Sequence, residues 1–386
     1  MGVAELRVAL TVYNANFLGG GNKFTAALAT SLSGAGFEVA LCAGNKPIPG
    51  RCHKEFMEAR RIYTASPLKP TRRAKLYSST LLVSLALKRC IRNFNPDIVI
   101  NADSPPAAFS LLGKGKTKFI QYVHWPTELQ SYRHTMLLEL YRAFYWGLHY
   151  RSRKRLDAAV CNSKFTHDIT RIMWRAEVPA DRFHVIYPPA DVNKFQSTYV
   201  DRKKKICYVG RLDGNKGIDM VIDAFVKVHE NHPDVELEIA GALNPGDVYT
   251  TAYYPRLRDR LFKLAKREIT LKLNPSDDEI INVYKSSRIF ANYNPGEHFG
   301  ICVVESQAAG TVPIVAHGGG QVETVTNGET GFLVKNCEDM AERMELLLND
   351  DLTFKRMSEK AVENAKRFSN ESFATKWIDL IEEMTV

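Results

Sequence analysis

Short apolar runs alternate along the chain with longer segments in which apolar residues recur at three- and four-residue spacing. The runs Arg7–Val12, Glu38–Cys42, Ile98–Ile100, Phe119–Val123, Ala158–Cys161 and Val185–Tyr187 predict strands in the first half. Helices fit between them, notably over Lys23–Ser33 and Tyr77–Phe94. The second half repeats the pattern with Lys205–Val209, Val235–Ala240, Ile269–Leu273, Ile289–Ala291, Thr311–Val315 and Gly331–Val334. Strands alternating with helices in both halves predict an α/β protein with two parallel, doubly wound sheets. The 386 residues also exceed the ~250–300 at which single cores usually divide. The expected boundaries are a first domain over 1–187 and a linker over 188–204, marked by Pro188, Pro189 and the basic cluster Arg202–Lys205. A second domain follows over 205–370, and a last helix over 371–386 is expected to cross back to the first domain. Ligands of open α/β sheets sit beyond the carboxyl ends of the strands, so a cleft between the domains is the expected site.

The most informative block is Glu297 to Glu305. Asn294, Pro295 and Gly296 precede it as turn residues, apolar positions at helical spacing run to Ala309, and Gly310 supplies a stop signal. A loop therefore enters a helix near Gly300, with Glu297 outside its mouth and Glu305 roughly 7 Å further in at 1.5 Å per residue. The unpaired N–H groups of the first turn favour an anion, and the carboxylates suit hydroxyl-bearing rings on either side of a diphosphate. Two solvated acids on a capped surface helix fit the same spacing. Earlier, Gly210-Arg211-Leu212-Asp213-Gly214-Asn215-Lys216-Gly217 follows a strand, and two cations on a glycine-rich turn suit a diphosphate gripped from two directions. It is not a Walker A loop. Gly19, Gly20 and Gly21 lie between the first strand and its helix, where backbone amides approach phosphate. Phe24 stands where a dinucleotide fingerprint needs Gly or Ala, and no acid ends the Glu38–Cys42 strand, which argues against a dehydrogenase. His124, just past the Phe119–Val123 run, falls at a strand's carboxyl end.

Composition places the chain among ordinary soluble proteins, 45% apolar and 25% charged. Seven scattered cysteines show no zinc or redox spacing, which suits thiols in a reducing compartment. No signal sequence or membrane-spanning run is evident. The charge is lopsided: residues 1–190 hold 27 Lys and Arg against 12 Asp and Glu, and the rest 25 against 31. Residues 51–92 carry 11 basic and 2 acidic residues around the run Leu81, Leu82, Val83, Leu85, Leu87. Tyr141–Arg155 mixes Phe144, Tyr145, Trp146, Leu148 and Tyr150 with five cations. Both suit an anionic membrane surface, and both also fit a solvated helix face over a core. No nucleic-acid-binding signature is present.

Together the Gly19-Gly20 loop, His124, the Gly210-Arg211 turn with Lys216, and the pair Glu297 and Glu305 resemble the retaining glycosyltransferases of GT-B fold, family 4, over nearly the whole chain. Tyr187-Pro188-Pro189-Ala190-Asp191-Val192, Asn162-Ser163 and the Glu297–Glu305 block look most similar to mannosyltransferases that extend lipid-linked oligosaccharides from GDP-mannose. The resemblance implies two Rossmann-like domains facing a central cleft, and a hexose moved from a nucleotide-sugar donor to a lipid-linked or glycan acceptor. Arg211 and Lys216 would bind the donor diphosphate, Glu305 the ribose and Glu297 the sugar hydroxyls. The amides of Phe299, Gly300 and Ile301 would contact sugar and phosphate, Gly20 would let the first loop close on the diphosphate, and His124 would touch the sugar. No metal or other cofactor is demanded, because Arg, Lys and a helix terminus supply the positive charge. The expected location is the cytoplasmic face of a membrane, held peripherally through the basic first domain, with no nucleic-acid partner. Rival readings are a UDP-sugar-dependent transferase or epimerase, a glycoside hydrolase using Glu297 and Glu305 as acid and nucleophile, and a non-catalytic nucleotide-sugar-binding scaffold.

Overall fold

The computed structural model describes residues 6–16, 20–65, 75–102, 105–113, 115–126, 129, 136–196, 202–243, 248–264 and 267–385, and Gly19 lies outside them. The chain forms two compact units, Met1–Pro189 with Asn370–Val386, and Ala190–Ser369. Among the described residues no helix is long and apolar enough to cross a membrane.

The first unit is built on seven parallel strands: β1 Arg7–Val12, β2 Glu38–Ala43, β3 Arg61–Thr64, β4 Ile98–Asn101, β5 Lys118–Val123, β6 Ala158–Cys161 and β7 Phe183–Val185. They lie in the order β3-β2-β1-β4-β5-β6-β7, so the winding reverses between β1 and β4. Alternation along each strand divides the core. Val8, Leu10, Ile98, Ile100 and Ile120 face one side with Phe24 and Leu28 of the helix Gly20–Gly34 and Phe373 and Trp377 of the helix Asn370–Thr385. Ala9, Val99, Phe119 and Ala159 face the other with Val83, Leu87 and Cys90 of the helix Lys75–Phe94. Burial on both faces is why these strands read as unbroken apolar runs. The run Arg61-Ile62-Tyr63-Thr64 escaped the sequence pattern because it is a short edge strand whose Arg61 and Ile62 are exposed. The ladder of β7 on β6 starts at Phe183, two residues before the expected Val185.

Two expectations about basic surfaces change here. In the Lys75–Phe94 helix, Leu82, Val83 and Leu87 are core residues, and only Leu81 of the run is exposed. Arg153, in the helix Met136–Arg153, is buried: it donates to Glu177 at 3.2 Å and lies 5.3 Å from the Trp174 ring centre. In the first of these helices core packing accounts for Leu82, Val83 and Leu87.

The second unit has six parallel strands, β8 Lys205–Arg211, β9 Glu236–Ala242, β10 Ile269–Leu273, β11 Ile289–Asn292, β12 Val312–Ala316 and β13 Phe332–Val334, in the order β10-β9-β8-β11-β12-β13. Its winding reverses between β8 and β11. The helix Ile301–Ala308 stops as expected at Gly310: the φ of +77° there lets Gly310 N–H donate to Gln307 O at 2.8 Å and Thr311 N–H to Ser306 O at 2.9 Å, a Schellman closure. Arg202, expected in a basic linker, is instead 7% exposed inside this unit. Its guanidinium donates to Tyr284 O at 3.1 Å, Ser287 O at 2.7 Å, Thr311 Oγ1 at 2.8 Å and the Ala309 carbonyl, tying two helix ends together.

Arg202→Ala leaves several buried carbonyls without that donor and is expected to destabilise the second unit by about 2–4 kcal/mol. All four tryptophans lie in the first unit. In urea, the transition seen by far-ultraviolet circular dichroism should gain an early component while the tryptophan fluorescence midpoint stays in place. An unchanged dichroism curve would refute the clamp.

Candidate active site

The candidate site of the second unit is assembled from the loops that leave β8, β11 and β12 at their carboxyl ends, astride the point where the winding reverses. After β8, Asp213 accepts from Asn215 N–H at 3.0 Å, and its carboxylate lies 3.8 Å from the exposed Arg211 guanidinium. Lys216 N–H returns to Asp213 O at 2.9 Å, closing a 3₁₀ turn over Gly214–Lys216. Gly217 ends it with φ +66°, and a Cβ there would collide with the Tyr293 carbonyl oxygen. This tight crossing between the β8 and β11 loops delivers Lys216 Nζ to 2.5 Å from Glu297 Oε2.

Glu297 is held from all sides. Asn294 Nδ2 donates to Oε2 at 3.1 Å and His298 N–H to Oε1 at 3.2 Å, while Gly320 N–H donates to the Glu297 carbonyl at 2.6 Å. The last bond depends on a third loop, Gly318-Gly319-Gly320, which follows β12. Gly319 has φ +68°, and side chains at Gly319 or Gly320 would collide with the Glu297 and His298 carbonyl oxygens. Gln321 Nε2 then donates to Asn294 O at 2.8 Å and Ala316 O at 2.9 Å, binding this loop to the glutamate's own. Gly318, Gly319, Gly320 and Gln321 escaped the sequence reading, and Asn294 reads there only as a turn residue. Three consecutive glycines directly after a strand-like run were a signal for the first three.

The helix starts where expected, at Ile301, with Gly300 at φ +91° and its carbonyl accepting from Val303 N–H at 3.0 Å. Phe299 is buried, its ring edge-on to Phe368 at 5.5 Å. Glu305 is also buried and accepts from Tyr284 Oη at 3.4 Å. Burial by itself would raise the Glu297 pKa, but the charge and hydrogen bond of Lys216, with His298 and Asn294, overrule it and hold the carboxylate below its usual range. Burial drives His298 down to about 4, with Lys216 and Arg211 adding to the fall against Glu297. Burial raises the Cys302 thiol to about 12, so it stays protonated.

Of the predicted site residues, Arg211, Lys216, Glu297, Phe299, Gly300, Ile301 and Glu305 thus fall in one region of the second unit. His124 and Gly20 belong to the first. His124 sits at the carboxyl end of β5, and its Nε2 donates to the Ala102 carbonyl at 3.0 Å. Because a carbonyl only accepts, Nε2 carries the proton. Gly20 opens its helix, and a Cβ there would meet nothing within 4 Å.

The sequence profile described as Glycosyltransferase Family 4 matches residues 18–194, and that described as Glycosyl transferases group 1 matches residues 190–368. The chain belongs to glycosyltransferase family 4. Among relatives of this family member is the D-inositol 3-phosphate glycosyltransferase of Corynebacterium efficiens, 31% identical over 56% of this chain and 55% of its own. Another is the human GDP-Man:Man(3)GlcNAc(2)-PP-Dol alpha-1,2-mannosyltransferase, 29% identical over 59% of this chain and 49% of its own. The chain spans about half the length of these relatives. A glycosyltransferase from Rickettsia africae shares the fold, with a TM-score of 0.76 over 99% of both chains at 20% identity. With its two parallel doubly wound sheets, the family 4 chain has the GT-B fold.

His298 falls from the ordinary 6.5 to about 4 on folding. Unfolded chain therefore binds more protons between those values, and stability, full above the upper one, is lost as pH falls through the lower. Stability curves across this window should be flatter for His298→Gln, and the His298 ring resonances should hold still until pH approaches 4. A titration near 6.5 would contradict the buried environment.

Proposed function

We propose that this chain transfers a hexose, mannose from GDP-mannose, to a lipid-linked or glycan acceptor with retention of anomeric configuration. The observation that carries the reading is the contact of Lys216 with Glu297 beside the mouth of the Ile301–Ala308 helix. In this mechanism Lys216, Arg211 and the amides at Phe299, Gly300 and Ile301 hold the donor diphosphate. The bond between the anomeric carbon and the diphosphate oxygen breaks, and the acceptor hydroxyl oxygen forms its new bond on the same face. The departing oxygen takes the acceptor's proton, and the cations and helix terminus stabilise the developing charge. No metal is needed for that step.

Glu297 orients sugar hydroxyls in this scheme and does not attack. Its oxygens are held by Lys216, Asn294 and the His298 amide, and its lowered pKa makes it a poor base and an unsuitable general acid. That weighs against the hydrolase reading, which needs an acid with a raised pKa. Glu305 is assigned the ribose, His124 the sugar, and Gly20 the approach of the first loop to the diphosphate.

GDP-mannose and a lipid-linked acceptor are supported by likeness to the human mannosyltransferase. A phosphorylated cyclitol acceptor, with a different donor base, is the second reading, favoured by the higher identity to the D-inositol 3-phosphate enzyme. The reaction is placed at the cytoplasmic face of a membrane, touched peripherally by cations that stay exposed on the first unit, Lys88 and Arg92 beside Leu81 and Arg151 and Lys154 beside Tyr150.

Lys216→Ala and Glu297→Ala are each expected to lower transfer at least about 100-fold, the scale of a lost transition-state donor, with an unchanged fold. Activity within about twofold of wild type would remove the assignment. A thermal-shift panel of GDP-, UDP- and ADP-sugars should single out the GDP donor, because a ligand bound only by native protein raises its stability. Transfer should also persist in a chelator. Release of nucleoside diphosphate only with acceptor present separates transfer from epimerisation and from scaffolding.

A further inference from the structure

Phe24 stands where a dinucleotide fingerprint would carry Gly or Ala, and nothing in the transfer scheme uses it. In the structure it lies one turn into the helix Gly20–Gly34, buried, and its ring meets that of His124 edge-on, with 5.4 Å between ring centres at 84°. Tyr122, two residues before the histidine, sets a second ring against the imidazole at 4.8 Å and 79°. The two aromatic rings are themselves stacked, 3.9 Å apart at 17°, so they form one slab to which the imidazole stands nearly perpendicular. Phe373 and Trp377, from the helix Asn370–Thr385, pack on the slab in turn. Phe373 is edge-on to Phe24 at 5.4 Å, and Trp377 lies 6.3 Å from Phe24 and 6.0 Å from Tyr122.

A hydrogen bond to one carbonyl does not fix the plane of a histidine. The torsion that turns the ring is broad, and the bond from Nε2 to the Ala102 carbonyl still allows the imidazole to swing about the N–H···O line. Asn162 Nδ2 donates to the His124 carbonyl at 2.9 Å, which anchors the backbone but not the ring. Two stacked, buried rings set across the imidazole remove the rotation that is left, since perpendicular aromatic contacts are favoured in their own right. We propose that Phe24, stacked on Tyr122, is a positioning residue for the transfer step: it sets the plane in which His124 meets the donor sugar, and Phe373 and Trp377 brace it from the last helix. The proposal rests on the assignment of His124 to the sugar and goes beyond it by naming what aims the ring. Core filling alone would give Phe24 the same standing as Leu28, one turn further along the same helix and in the same core cluster.

The test compares Phe24→Leu with Leu28→Ala in the full chain. In histidine-labelled protein the His124 ring resonances, assigned with His124→Ala, should move in Phe24→Leu, where the ring current of the perpendicular neighbour is lost, and stay in place in Leu28→Ala. Phe373→Leu, which withdraws a brace and leaves Phe24 itself intact, should move the same resonances to a smaller extent, and it gives the reading if Phe24→Leu does not fold. In transfer assays Phe24→Leu should lower kcat about tenfold with the donor KM within about twofold of wild type, since the diphosphate is held by residues of the second unit. Leu28→Ala should melt earlier yet keep both constants within about twofold. Phe24→Leu added to His124→Ala should slow transfer no further than His124→Ala alone, because Phe24 acts through a ring that is then gone. Unmoved His124 resonances in Phe24→Leu and Phe373→Leu, equal kinetic losses in Phe24→Leu and Leu28→Ala, or a further loss in the double variant would overturn the proposal and leave His124 at the sugar. Transfer by His124→Ala within about twofold of wild type would instead remove the histidine's assignment, and the positioning role with it.

Discussion

An ionised carboxylate taken out of water must be given a counter-charge and hydrogen-bond donors, and the second unit is arranged around meeting that demand at Glu297. The counter-charge, Lys216, comes from the loop after β8, the donors from the loop after β11, and the restraint on the backbone from the loop after β12. Removing one member of this part-buried pair leaves the survivor with less compensation. Three chain segments must therefore meet at contact distance, and glycine is the residue that permits it. Gly217 crosses the Tyr293 carbonyl, and Gly319 and Gly320 cross those of Glu297 and His298. The local electrostatics follow from this closeness. His298 stays neutral because it shares its burial with Lys216 and Arg211, so positive charge is concentrated on the two cations rather than spread over three.

The first unit handles polarity at its strand ends differently. Beneath His124 runs a buried ladder of neutral groups. Thr11 Oγ1 donates to Asn101 Oδ1 at 2.5 Å, Asn101 Nδ2 to Gln121 Oε1 at 2.6 Å, and Ala102 N–H to Thr11 Oγ1 at 3.1 Å. Polar side chains at the carboxyl ends of central strands carry a desolvation penalty that a connected network offsets, and it fixes the Ala102 carbonyl on which the His124 tautomer depends. One unit holds ionised groups by compensation, the other orients an imidazole ring by hydrogen-bond geometry.

Most of this was legible in the sequence where a single period governs the outcome. Strands buried on both faces, such as Ile98–Asn101 and Val312–Ala316, announce themselves as apolar runs, and Gly310 marks a helix end because only a left-handed residue completes that closure. Lys216 and Glu297, which the structure brings into contact, stand out in the sequence because charged residues on glycine-rich turns beside strand ends are chemically conspicuous. What escaped depends on contacts between distant segments. Gly318–Gly320 has its meaning only against the Glu297 loop, and Gln321 only against Asn294 and Ala316. Arg202 reads only as part of a basic cluster marking a linker, because a sequence does not show which carbonyls wait for a donor. The basic amphipathic segments stay ambiguous for a related reason: a stripe of leucines under arginines looks the same whether the stripe meets lipid or a β-sheet, and Val83 and Leu87 meet the sheet.

The same geometry limits what chemistry the glutamates can do. A general acid needs a raised pKa, whereas that of Glu297, against the pull of its burial, is lowered by Lys216, His298 and Asn294. Cys302, close enough to feel both carboxylates, is held as an inert thiol at about 12. With the acid role closed to Glu297, what the site offers is positive charge at fixed positions, from Lys216, from Arg211 and from the helix that begins at Ile301. Such an arrangement accelerates a reaction only where negative charge grows as a bond breaks. That is the electrostatic ground on which we propose the departure of a diphosphate, with the proton passed to the departing group itself.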